Sequence, residues 1–88
     1  MANKRALKKA IHSICEELFA EAVAISLYGP ESSRESAKAL LFSIVKMHAH
    51  YITRVSHPEP GMSAKEYYNN LSDQFGSQVS EMMDQINA

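Results

Sequence analysis

Tryptophan is absent from this sequence, cysteine occurs once, and proline and glycine occur three times each. A single cysteine, Cys15, rules out an intramolecular disulfide and any cysteine-rich zinc or iron–sulfur arrangement. That usage fits a reducing compartment, so a cytoplasmic location is expected. No apolar run approaches the 18 or so residues that a membrane-spanning helix needs. The basic start is not followed by an apolar stretch of signal-peptide length, because Glu16, Glu17 and Glu21 interrupt it. Neither sign of charge dominates. Nine Lys and Arg face ten Asp and Glu, for a formal net charge of −1. That balance argues against wholesale attraction to nucleic acid or anionic membrane. It also puts little electrostatic resistance in the way of self-association.

What remains is a chain of 88 residues, 45% hydrophobic, of the size of one small domain. A domain this small has a thin core. Its apolar residues recur every three or four positions, and three helical segments follow. In the first, about residues 3–28, Leu7, Ile11, Ile14, Leu18, Ala22 and Ile25 form the stripe. Gly29 is expected as a left-handed cap, with Pro30 barring continuation. The second is expected from about residue 33 to 54, with Ser32 and Glu35 at capping-box spacing, or Ser33 alone, as its N-cap. Its stripe comprises Leu41, Ile44, His48, Tyr51 and Val55. The third, about 63–86, opens on Ser63-Ala64-Lys65-Glu66, a capping box with Met62 placed as a hydrophobic staple against Tyr67. Tyr67, Leu71, Phe75, Val79, Met82 and Ile86 share one face. Gly76 interrupts that segment, as a close helix approach or a slight bend would require.

The second and third segments are joined by Ser56-His57-Pro58-Glu59-Pro60-Gly61-Met62. Two prolines fix two φ angles and push His57 and Glu59 toward extended geometry, and Gly61 is free to take positive φ. Short connections between long helices give antiparallel neighbours. The expected fold is therefore all-α, a three-helix up-down-up bundle in one domain, with homodimerisation as a means of completing or extending it. The rival arrangement is a long helical hairpin that dimerises.

The stretch from Ser56 to Met62, with Leu18-Phe19-Ala20-Glu21 before it and Gln78-Val79-Ser80-Glu81 after it, resembles a group of small uncharacterised helical proteins of Bacteroidetes gut bacteria. The likeness runs over nearly the whole chain. It implies a bacterial cytoplasmic protein of helical fold, and it carries over no catalytic residue, cofactor or partner.

Chemical signatures are sparse. There is no H-E-x-x-H, no Glu-x-x-His pair and no phosphate-binding glycine loop. His12 and Glu16 stand at i,i+4, but two ligands fall short of a metal site, and no metal or other cofactor is expected. Cys15 reads as a small buried hydrophobe; as a nucleophile it would have only His12 at hand to lower its pKa. His48 lies within an apolar stripe. It reads either as a half-buried core histidine bonded to a tyrosine or carboxylate, or as a polar group in a cleft between the second and third helices. Tyr51, Tyr67 and Tyr68 could line that cleft and bind a small ligand. His57 and Glu59, on the stiff loop, are candidates for a protein contact, with a plain linker as the alternative.

Lys4, Arg5, Lys8 and Lys9 form a basic start without an acid, opposed to the helix macrodipole. They read as a solvated helix start or as phosphate contacts without sequence readout. The function expected from these features is a noncatalytic helical module for protein–protein contact, as a homo-oligomer or with another protein. Helix 2 supports it with surplus apolar residues: Phe42, Met47 and Ile52 cannot all share the groove of Leu41, Ile44, His48 and Val55. The alternatives are a small-ligand binder or minor enzyme built on His48, and an accessory nucleic-acid binder through the basic start.

Overall fold

The computed structural model describes residues 3–87. Three α-helices account for nearly all of them: α1, Lys4–Tyr28; α2, Glu31–Ser56; and α3, Ala64–Ile86. They form an up-down-up bundle, elongated to 48 × 19 × 17 Å. The helices α1 and α2 pack as a close antiparallel hairpin joined at Gly29-Pro30, and α3 lies along one side of both. The expected three-helix, all-α architecture is thus the one observed.

Each helix starts where a backbone donor finds a partner or loses the need for one. Asn3 caps α1: its Oδ1 accepts a 2.8 Å hydrogen bond from the Ala6 N–H. Ser63 caps α3, its Oγ accepting from the Glu66 N–H at 3.2 Å, which is the serine half of the expected capping box. Met62, just before it, is half-buried against the core cluster that contains Tyr67, as a staple requires.

The start of α2 differs from expectation. The helix begins at Glu31, with Pro30 as its N-cap and no side-chain cap. Pro30 has no N–H to satisfy and its φ of −57° is already helical, so the serines at 32 and 33 fall inside the first turn. Arg34 ties the turn down by donating from Nε to the Gly29 carbonyl at 2.9 Å.

Gly29 is not left-handed either: φ is −76° and ψ 173°. The following proline forces its predecessor into extended geometry, which excludes the left-handed cap. Gly29 is required for space instead. A Cβ there would stand 2.6 Å from the Ile25 carbonyl oxygen, to which the Gly29 N–H donates. At the far end, α2 runs two residues past the expected limit before His57 and Pro58 stop it. Gly61 takes the positive φ expected of it, +89°.

The core is one continuous cluster. Leu7, Ile11, Cys15, Leu18 and Ala22 come from α1, Ile44, Met47, Tyr51 and Val55 from α2, and Tyr67, Tyr68, Leu71, Phe75 and Met82 from α3. No polar or charged residue is buried, and no buried side-chain polar atom lacks a partner among the described residues. Gly76 is not a close-approach site: a Cβ built on it meets nothing within 4 Å.

Candidate functional site

Three long helices leave three outer grooves, and the side chains with chemistry or exposed apolar surface distribute unequally among them. Counting 100° per residue along α2, His48 and Leu41 fall toward α1 while Met47 and Arg54 fall toward α3. The two sides of α2 therefore carry different surfaces.

On the α1 side, His48 is half-buried and meets His12, which is exposed on α1. His48 Nε2 and His12 Nδ1 stand 2.8 Å apart, and the rings meet edge-on with centroids 4.7 Å apart. Directly above this pair lies an open groove of about 360 Å³ lined by Cys15, Glu16, Phe19, Ile44, Val45 and His48. Its rim is apolar and exposed: Phe19 is 39% exposed and Val45 54%. Phe42, one turn from Val45 on the same helix, is 74% exposed. Of the surplus residues of α2, Met47 is buried and Ile52 half-buried within the bundle, and Phe42 is the one left outside.

Cys15 forms part of the groove floor at 3% exposure. Burial pushes its thiol pKa up, which keeps it protonated and unreactive at neutral pH. His12 turns its Nδ1 to His48.

The structure does not gather His48 and the tyrosines into one cleft. Tyr51 turns toward α3 and packs edge-on against Phe75, with centroids 5.2 Å apart. Burial raises its pKa, and nearby Arg54 lowers it by a smaller amount. Tyr67 donates its hydroxyl proton to the Arg54 carbonyl at 2.7 Å, with the His57 carbonyl at 3.3 Å, and Tyr68 donates to the Val55 carbonyl at 3.3 Å. These two hydroxyls satisfy orphan carbonyls at the end of α2. They are clamps for the loop and are not free to hold a ligand. His57 and Glu59 are exposed on that loop.

The α2–α3 groove, about 490 Å³, is polar, with Lys46, His50, Arg54, Gln74, Gln78 and Glu81 on its walls. Arg54 donates to Gln74 Oε1 across it at 2.6 Å.

Lys4, Arg5 and Lys9 are exposed and Lys8 half-buried in the first turns of α1, whose opening turn holds no acid. The one ion pair among the described residues, Lys38–Glu35, lies elsewhere. No group of three or more His, Cys, Asp or Glu among the described residues is placed to hold a metal. No described helix is long and apolar enough to cross a membrane.

The His12–His48 contact is the feature that sequence reasoning missed. Its only signal was that His48 sits within an apolar stripe; pairing it with His12 needs the relative rotation of two helices. Compared with known proteins, the chain matches no family, no curated protein and no solved structure.

Proposed function

We propose that this protein is a noncatalytic helical module that works by protein–protein contact, and that its partner on the α1–α2 face is a second copy of the chain. The observation that carries this reading is the exposure of Phe19 and Val45 on the rim of one groove that α3 leaves uncovered, with Phe42 exposed one turn from Val45 on the outer side of α2.

Several features favour a copy of itself. The groove lies near mid-length of both α1 and α2, since its lining runs over residues 15–20 and 44–48. A two-fold axis through that point lays two molecules against each other along their whole length, an isologous contact. The side of the bundle is 48 Å long and 19 Å wide, long enough for a contact along the whole α1–α2 face. A net charge of −1 offers little repulsion between copies. The unreactive Cys15 and the occupied tyrosine hydroxyls support a noncatalytic role.

The test is the mass in solution of the wild type and of Val45→Glu and Phe42→Glu, by sedimentation or light scattering. A dimer that becomes a folded monomer in both variants supports the proposal. A monomeric wild type at tens of micromolar overturns it.

A further inference from the structure

His12 and His48 come from different helices, 36 positions apart, yet their facing ring nitrogens stand 2.8 Å apart. As a hydrogen bond this requires one nitrogen to donate and the other to accept. The same two nitrogens also have the spacing of a chelate. Metal–imidazole bonds are about 2.0–2.1 Å long, so two nitrogens at a right angle around one ion lie about 2.9 Å apart, and at the tetrahedral angle about 3.3 Å apart. The observed separation matches the right angle. The rings are inclined at 75°, so they do not stack; a chelate requires each ring to turn from the hydrogen-bonded position until both lone pairs meet at one point on the solvent side.

We propose that His12 Nδ1 and His48 Nε2 chelate one divalent transition ion that favours tetragonal geometry, copper(II) or nickel(II), in two adjacent equatorial positions. Water fills the remaining positions, since no group of three His, Cys, Asp or Glu among the described residues is placed to hold a metal; two protein ligands make this a weak, exchangeable site and not a resident metal centre. Binding needs both facing nitrogens bare. The ring that donates in the hydrogen bond therefore carries its proton on its other nitrogen, and for two neutral rings no proton is lost.

Hard cations are excluded by ligand type, because magnesium and calcium require oxygen donors. They are also disfavoured by charge, with Lys8 one turn before His12 and Lys9 beside it. Copper and nickel bind imidazole through bonds strong enough to outweigh that repulsion. The expected order is copper above nickel and above zinc. A bound ion would cross-link α1 to α2 at the lower edge of the apolar groove.

The chain contains its own controls, because His50 and His57 are exposed and outside the pair. The experiment is a nickel chloride titration of the full chain by calorimetry, with copper(II) electron paramagnetic resonance, on wild type, His12→Gln, His48→Gln and His50→Gln. One ion per chain is expected for wild type. Affinity should fall about a hundredfold in either pair variant, as the loss of one arm of a chelate implies, and stay unchanged in His50→Gln. The copper spectrum should show two coupled nitrogens in wild type and one in each pair variant. Circular dichroism without metal checks that every variant is folded. Equal affinity in wild type and His48→Gln, or an equal loss in His50→Gln, overturns the proposal. The chelate lies within one protomer, so the Phe42→Glu monomer, altered outside the groove lining, should bind nickel as wild type does, and its failure to do so also counts against the proposal.

Discussion

The Tyr67 hydroxyl donates to the Arg54 carbonyl at 2.7 Å, fastening the start of α3 to the end of α2. The phenol ring is buried, and the Arg54 guanidinium sits 5.9 Å from its centroid. Tyr67→Phe keeps the ring and removes the bond, leaving the carbonyl with a weaker partner. A loss of about 1–2 kcal/mol in unfolding free energy is expected, together with faster amide exchange in the last turn of α2. Denaturant unfolding of the variant and hydrogen exchange at residues 54–58 measure both. An unchanged stability would mean that the bond contributes nothing net.

Ile44 from α2 and Leu71 from α3 belong to the same core cluster and are essentially inaccessible, at 1% and 0% exposure. Truncation of either to Ala leaves a cavity lined by long-helix side chains that cannot easily collapse. The expected cost is about 2–5 kcal/mol, against a total stability of about 5–15 kcal/mol for native domains, so either variant should melt far below wild type. Ser63→Ala should cost about 0.5–2 kcal/mol through the lost cap on α3. Thermal melts of the three variants rank these effects, and a Leu71→Ala loss below about 0.5 kcal/mol would contradict the observed packing.

The parts of this fold legible in the sequence were those encoded within one helix. The stripe of Leu7, Ile11 and Leu18 and the cap at Ser63 each depend on spacing within a single segment, and both are found where expected. What was not legible depends on a neighbour. Pro30 overrides the left-handed preference of Gly29 and supersedes the Ser32 cap, because a fixed φ outranks a side-chain hydrogen bond. The partner of His48 is set by which flank of α2 faces α1, an angle that no single helix encodes. Spacing places Tyr67 on the apolar face of α3, and Tyr67 and Tyr68 are both candidates for a ligand cleft, but the destination of their hydroxyls follows from the loop path. Asn3 is a different case: asparagine is a favoured N-cap, and its capping of α1 was readable from residue type alone.

Cys15 and Tyr51 set the alkaline limit of the bundle. Burial raises the folded pKa of both above their ordinary values of 9.0 and 10.0. A group whose folded pKa is raised contributes its full stability below the unfolded value. That contribution is lost as pH rises through the folded value. Stability should therefore be flat in this respect below about pH 9 and decline above it. Denaturant midpoints between pH 7 and pH 11 follow the decline, and Cys15→Ala should remove the thiol's part of the slope. A native Cys15 that reacts with a thiol reagent at pH 7.5 as fast as in unfolded chain would contradict its burial.

Gly76 offers a gain instead of a loss. It lies inside α3, exposed, with a helical φ, and a Cβ there meets no atom within 4 Å. Nothing in the bundle uses the missing side chain. Gly76→Ala should therefore raise stability by about 0.4–1 kcal/mol, chiefly by restricting the unfolded chain. For a domain of this size that corresponds to a rise of a few degrees in Tm. Gly29→Ala, made in parallel, should do the opposite, because its Cβ would collide with the Ile25 carbonyl at the helix end. The contrast isolates conformational entropy from sterics within one protein. If Gly76→Ala instead lowers the melting temperature, that position must be closely approached in solution, and a second chain lying on the outer face of α3 would be the contact to look for.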